Sequence, residues 1–324
     1  MGHATTGSLT TLVAAVRERC ADISAAWPKA ARGDTRAIHR ARTASRRLRE
    51  LLPIAAAAAP KGGAGRLRRE ARRLTRALGP VRELDVAIAV LADETRGEAV
   101  TRSEIAAVDR ALEAERIRAR DALRTRLDAI DIETWRGRCD ELVDALANLP
   151  GRSWEPALAK RLRRRALRVL EAQDAAGTLY APEPLHRVRI AAKKLRYALE
   201  IARDLTGVSA DGLIASVKGV QDRLGRIHDL NVLDQRVRSI AWPGGRRAAS
   251  GRLALLSELE RECREQHAAY LARRDLLRNV ARETAHATSA GVMGRRRPLR
   301  MKLAARTPRM TGRSGRAKSA AGSK

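Results

Sequence analysis

The 324-residue chain contains no phenylalanine and only seven aromatic residues, four Trp and three Tyr. So few rings leave little platform on which unpaired bases could stack, which argues against single-strand nucleic-acid binding by that route. Acidic residues are also in deficit, with 37 Asp plus Glu against 66 Lys plus Arg and a net charge of +29. No apolar run reaches the roughly 18 residues of a membrane-spanning helix, and the N-terminal MGHATTGSL has no apolar signal region. Cys20, Cys139 and Cys263 lie far apart, with no CxxC and no zinc-like Cys/His spacing. They read as small buried residues of a protein in a reducing cytoplasm. No P-loop, no Ser or Cys nucleophile context and no paired-carboxylate motif is found, so the expectation is a non-catalytic protein without cofactor or metal.

What the sequence does have is Ala, Leu, Arg and Glu in long stretches with few β-branched runs, the composition of an all-α protein. A hydrophobic content of 44% over this length supports a sizeable core. The cationic excess calls for a polyanionic partner, whether nucleic acid, phosphate polymer or anionic membrane. Of the 66 basic residues 57 are Arg, whose planar fork meets phosphate oxygens bidentately. A GC-rich genome also raises Ala and Arg, so composition alone does not name the ligand.

The most informative feature is a pattern written twice. IHRARTASRRLRELL begins at Ile38, and LHRVRIAAKKLRYALE begins at Leu185, 147 residues later. His39, Arg42, Arg46, Arg47 and Arg49 match His186, Arg189, Lys193, Lys194 and Arg196. On a helix, His39, Arg42, Arg46 and Arg49 share a stripe roughly 80° wide, and His186, Arg189, Lys193 and Arg196 repeat it. Ala41, Leu48, Leu51 and Leu52 form the apolar back of the first copy, and Val188, Leu195, Ala198 and Leu199 that of the second. Like charges along one stripe repel. The alternative is a solvated face, but the duplicated His and the scarcity of neighbouring acids favour an anion.

A second match runs at nearly the same offset. LGPVRELDVAIAVL from Leu78 parallels LGRIHDLNVLDQRV from Leu224, pairing Gly79 with Gly225, Arg82 with His228, Glu83 with Asp229 and Asp85 with Asn231. The halves therefore run over about 9–149 and 150–285, each offering about four helices that pack about a pseudo-twofold axis. In the first half, helices are expected from Leu9 to Ala26, ending near Trp27-Pro28, from Ile38 to about Ala58 with a kink at Pro53, and from Arg66 to Leu91 with a break at Gly79-Pro80. Residues 286–324 form a basic tail; Gly294 to Lys324 holds eleven Lys or Arg and no acid, and is expected to be disordered. Arg66, Arg69, Arg73 and Arg76 make a further stripe with no counterpart at Gly212, Ala215, Gly219 and Asp222. The basic run Lys160 to Arg168 reads as a solvated face. The histidines admit three readings: neutral core donors, charged phosphate ligands, or metal ligands. Glu83, Asp85, Asp229 and Asn231 are expected to pin helices or orient basic side chains.

With both signatures, the LG-x-x-H-D segment and this helical basic character, the chain resembles the CHAD family, the conserved histidine α-helical domain, over roughly Leu9 to Ala285. The resemblance implies an all-α, internally duplicated pair of antiparallel four-helix bundles around a basic central cavity, here without an accompanying triphosphate-tunnel enzyme domain. It implies non-catalytic binding of inorganic polyphosphate, with a place at polyphosphate granules. Residue by residue, it puts the site on His39, Arg42, Arg46, Arg47, Arg49, His186, Arg189, Lys193, Lys194 and Arg196, and on the following helices on Arg72, Arg73, Lys218 and His228. A nucleic-acid or nucleoid-associated protein, using the basic surface and tail, is the competing reading.

Overall fold

The computed structural model describes residues 6–94, 102–149, 154–240 and 246–289. Among these, eleven α-helices and no strands occur. They run α1 Thr6–Ala31, α2 Thr35–Ala58, α3 Ala64–Ala77, α4 Gly79–Glu94, α5 Arg102–Asp128, α6 Ile132–Ala147, α7 Glu155–Ala176, α8 Pro182–Thr206, α9 Asp211–Ser239, α10 Arg246–Leu271 and α11 Arg274–Ser289. No helix among the described residues is long and apolar enough to cross a membrane.

The packing partners repeat. Helix α1 lies against α2 and α6 as α7 lies against α8 and α11; α2 continues onto α3 as α8 continues onto α9. Each half thus makes four helical passes, with α5–α6 and α10–α11 each a single bent pass. The third pass differs. It breaks at Leu78 between α3 and α4 in the first half, whereas α9 runs unbroken. Pro80 explains the break, since it lacks an N–H and clashes with the preceding turn. The matching position in α9 is Arg226, which does neither.

Two prolines are absorbed. Helix α1 passes through Pro28 and α2 through Pro53. The expected end of α1 near Trp27-Pro28 is therefore moved to Ala31. Ala26 and Ala30, on either side of Pro28, are 3% and 2% exposed, and their burial outweighs one lost hydrogen bond. Gly33 at φ 83° then turns the chain, and Asp34 caps α2 by accepting from the Ala37 amide at 2.7 Å. At the other end α11 continues past Ala285, with Thr284, Thr288 and Ser289 hydroxyls bonded back to main-chain carbonyls one turn earlier. That places 286–289 in a helix rather than in the tail; the remainder of the expected disordered tail lies outside the described residues.

The apolar backs of both signature helices are buried as the pattern requires. Leu48, Leu51, Leu52, Val188, Leu195, Ala198 and Leu199 are all 3% exposed or less. They belong to a large core that draws on both halves. A smaller core is built from α4 and α5 of one half and α9 and α10 of the other, through Leu84, Val90, Leu112, Leu230, Leu233 and Leu259. The halves are therefore not separately closed bundles. Charged contacts span them as well: Arg19 to Asp204 at 3.2 Å and Arg47 to Glu200 at 3.3 Å, while Arg226 donates a hydrogen bond to the Glu94 carboxyl.

Candidate functional site

Burial of the two apolar backs turns the fronts of α2 and α8 toward one another, and the cationic stripes converge. Arg42 and Arg46 of α2 and Arg189, Lys193 and Arg196 of α8 lie within each other's electrostatic reach. This is one shared cluster, not a site in each half. Arg42, Arg46, Arg189, Lys193 and Arg196 are all half-buried. Burial, then Arg46, Arg189, Arg196 and Arg42, pull the Lys193 ammonium from 10.5 down to about 7. Burial and Arg46 likewise bring Arg42 to about 10.

The second repeat serves the first. Glu83 stands 3.9 Å from Arg42 and Asp229 stands 3.9 Å from Arg189. Gly79 and Gly225 face the same two arginines: a Cβ at Gly79 would sit 2.9 Å from Arg42 Nη1, and one at Gly225 would sit 3.8 Å from Arg189 Nε. Gly79 makes room for the Arg42 guanidinium, whereas a Cβ at Gly225 would make only ordinary contact with Arg189, and in both halves the acid four residues later stands near the arginine. Arg42 Nη1 also donates to the Thr75 carbonyl at 3.3 Å, next to a buried Ser45–Thr75 hydroxyl pair at 2.9 Å. Asp85 and Asn231 tie the same helices at their starts. Asp85 accepts from Thr35 Oγ1 at 3.3 Å, while the Asn231 amide donates to Tyr180 Oη at 2.9 Å. The expected orienting role of these four residues is thereby given concrete partners.

The remaining predicted residues fall into separate groups. Arg47 and Arg196 both bind Glu200, at 3.3 and 2.8 Å, and both lie over the Tyr197 ring at 5.9 and 5.0 Å. They form a brace between α2 and α8 at one end of the cluster. Arg49 lies within electrostatic reach of Glu50 and of Arg72 and Arg68 on α3, as well as of Arg46. Lys194 faces Arg165, Glu50, Arg49 and Arg161. Arg73 and Lys218 are exposed, with no ion pair or hydrogen bond among the described residues.

Of the three readings of the histidines, the electrostatics of the chain by itself favour neutral rings. The His186 and His228 rings lie 4.2 Å apart between centroids, tilted by 34°. Burial, then Arg189, His186 and Lys193, lower His228 to about 3. Burial comes first for His39 and His186 as well, followed by Arg82 for His39 and Arg189 for His186, and both fall below 6.5. Burial first, and the surrounding cations after it, favour the neutral form of these imidazoles.

Sequence reasoning missed two things. Arg82 belongs to the cluster, within electrostatic reach of His39, Arg42 and Asp229; its match to His228 in the repeat was the available signal. The run Lys160 to Arg168 is not a uniform solvated face. Arg161 is 6% exposed and donates to Glu50 at 2.7 Å, and Arg165 donates to the other Glu50 oxygen at 2.7 Å. Their shared acceptor, Glu50 on α2, is itself 6% exposed, and helical spacing within α7 alone could not reveal it.

A duplicated all-α fold with one shared cluster of guanidinium and ammonium groups between α2 and α8 defines the architecture. The chain matches the family model of the CHAD domain over residues 14–238, well over half its length, and belongs to that family, which is associated with polyphosphate binding. Among solved structures it is similar to the CHAD domain from the plant Ricinus communis, at 22% identity and a TM-score of 0.64, covering 85% of this chain and 92% of that one. It is also similar to PptA from Streptomyces chartreusis, at 18% identity and a TM-score of 0.57, covering 86% of this chain and 100% of that one. At these identities the likeness establishes the fold. No curated protein matches the sequence.

Proposed function

We propose that the chain binds inorganic polyphosphate without catalysing its reaction, in the cleft between α2 and α8. The observation that carries this reading is the fused cluster of Arg42, Arg46, Arg189 and Lys193, in which, among the described residues, Glu83 and Asp229 are the carboxylates that approach the arginines, both at 3.9 Å, and Lys193 has no close ion pair. Half-buried cations with too few counterions cost stability in the free protein, and a multivalent anion removes that cost on binding. The stripe from His39 to Arg49 spans ten residues of helix, about 15 Å. Arg49 also lies within electrostatic reach of Arg72 and Arg68 on α3, with Glu50 beside it, and cations spread over this length suit a polymer better than a single phosphate. A phosphate polymer has no base edges, and recognition reduces to charge spacing and charge-assisted hydrogen bonds.

The test is competition. Labelled long-chain polyphosphate is bound to the full chain and displaced either with unlabelled polyphosphate or with duplex DNA, matched in phosphate units. Polyphosphate is expected to displace at a concentration at least about tenfold lower. Equal displacement by DNA would instead support the nucleoid-associated reading. A place at polyphosphate granules follows from the same proposal, and is checked by locating a fluorescent fusion before and after Arg42, Arg46, Arg189 and Lys193 are changed to Glu.

A further inference from the structure

We propose that Cys20 and Cys139 are a site of reversible oxidation, forming a disulfide between α1 and α6 when the protein meets hydrogen peroxide. The proposal stands apart from what the cationic cluster binds.

The two cysteines are 119 residues apart in sequence, and the packing of α1 against α6 brings them to one place. Both line a single cavity of about 230 Å³ between these helices. Each helix lines it with residues at offsets 0, 3, 4 and 7, which is one helical face, counted from Arg17 on α1 and from Arg136 on α6. Each cysteine stands at offset 3, near the middle of its row, so the two sulfurs meet whichever way the helices run. Their thiols lie within hydrogen-bonding reach of each other, and bond formation calls for side-chain rotation rather than refolding. The small side chains of Ala21 and Ser24 leave the cavity open beside Cys20, and its volume admits a peroxide, a molecule little larger than water. Cys20 and Cys139 are only 5% and 4% exposed, which keeps bulky thiols out and directs oxidation to the internal bond. Cys263 belongs to the smaller core, with its sulfur 3.9 Å from the Asn231 amide, and serves as the internal control.

The step balances with peroxide as the one co-reactant. One thiolate attacks a peroxide oxygen, the O–O bond breaks, and a sulfenic acid and one water form. The second sulfur attacks the sulfenic sulfur, the S–O bond breaks, and a second water leaves with the remaining thiol proton. Two thiols are oxidised to one disulfide, and the peroxide is reduced to two waters. The charged groups around the cavity act in both directions. The Cys20 thiol, then burial, then Asp140 favour the protonated form of Cys139, which assigns it the second step. Arg17 and Arg136 favour a thiolate, although Arg136 is shared with Glu133 at 2.6 Å. The resulting bond closes a loop that contains α2 to α5, and with them Arg42, Arg46 and Glu83. A cross-link over so long a loop removes much of the freedom of the unfolded chain.

The full chain is treated with hydrogen peroxide at pH 7 and 8.5, quenched with iodoacetamide in denaturant, and digested without reductant for peptide mass spectrometry. The Cys20–Cys139 linked peptide is expected to dominate, to form faster at pH 8.5, and to disappear with dithiothreitol, while Cys263 remains alkylated. The oxidised chain should melt at least about 5 °C higher than the reduced one, and the rise should reverse on reduction. Cys263→Ala should keep both the linked peptide and the rise; Cys20→Ala and Cys139→Ala should lose both. No linked peptide at peroxide levels that oxidise the chain's methionines, links through Cys263 in comparable yield, or an oxidised wild-type chain with no higher Tm would each overturn the proposal.

Discussion

Replacing Lys193 by Met should make the free protein more stable and its polyphosphate complex weaker. Met keeps the length and flexibility of the side chain and drops its charge. In the unfolded chain the lysine holds its proton up to the ordinary 10.5, and in the fold only to about 7. Between those values the unfolded state binds more protons, so this residue's contribution becomes less unfavourable as pH rises from 7 to 10.5 and is at its worst below 7. At about 1.4 kcal/mol for each tenfold change, the shift sets an upper bound of about 5 kcal/mol. Water around a half-buried side chain screens much of that, and an expected gain of about 1–3 kcal/mol remains. In a chain of this size each kcal/mol moves Tm by about 2–4 °C. Urea and thermal denaturation at pH 6, 7.5 and 9 should therefore show Lys193→Met above the wild type, most at pH 6 and least at pH 9. Polyphosphate titrations across salt concentrations should show a lower affinity and a salt slope smaller by about 0.7. A variant less stable than wild type at pH 6, or a stability difference that does not change with pH, would refute the picture of an enclosed, uncompensated ammonium.

Gly79→Ala places a Cβ 2.9 Å from Arg42 Nη1; polyphosphate binding should weaken about 3–10-fold by titration with no loss of Tm, because the clash falls on a flexible side-chain end. Glu50→Ala leaves the buried Arg161 and its neighbour Arg165 without their shared acceptor, and should cost about 3–5 kcal/mol in denaturant unfolding. Changing exposed Arg66, Arg69, Arg73 and Arg76 together to Ser should leave Tm within a few degrees but lower the salt slope for long polyphosphate by about 3, at about 0.7 for each cation, with little effect on short oligophosphates. Burial, and then the adjoining Glu262 carboxyl, push the Glu94 carboxyl up to about 8; its contribution is present at low pH and lost as pH rises through 8, so Glu94→Gln should flatten the fall in stability between about pH 4.5 and 8.

The duplication, the helical class and the apolar backs of α2 and α8 were legible because each leaves a periodic trace in the sequence. Helix ends were less so. Pro28 looked like a terminator, and only the burial of Ala26 and Ala30 by distant helices overrides it. The stripes were legible as faces, but not their relation: that Arg46 and Lys193 share one cluster depends on how α2 crosses α8. Partner assignment was the weakest point. Arg161 reads as surface on its own helix, and its burial is decided by Glu50, 111 residues earlier. The histidines show the same limit, since the neutral form is favoured by burial and then by cations from α2, α4 and α8, none of which a single helix displays.

The two repeats make sense only together. A stripe of arginines on a helix gains nothing from itself, and needs groups on the next helix to hold each guanidinium in place. The Gly79–Glu83 pair does this for Arg42, and the Gly225–Asp229 pair does it for Arg189. Those acids stand at 3.9 Å, near enough to orient the arginines but too far to pair closely with them, and they leave Arg46 and Lys193 largely uncompensated between them. Full neutralisation would have been easy in a chain with 37 acids, and it was spent elsewhere. Glu50, Glu94, Glu200 and Glu262 all serve arginines that brace one half against the other. The acids thus secure the frame, and the uncompensated charge is concentrated where the two halves meet. A cost of that kind persists only if the surrounding structure holds it in place, and the shared cores and cross-half ion pairs provide that support. Duplication supplies a cationic stripe twice, fusion of the halves brings the two stripes into one cluster, and the basic stripe of α3 has no counterpart in α9.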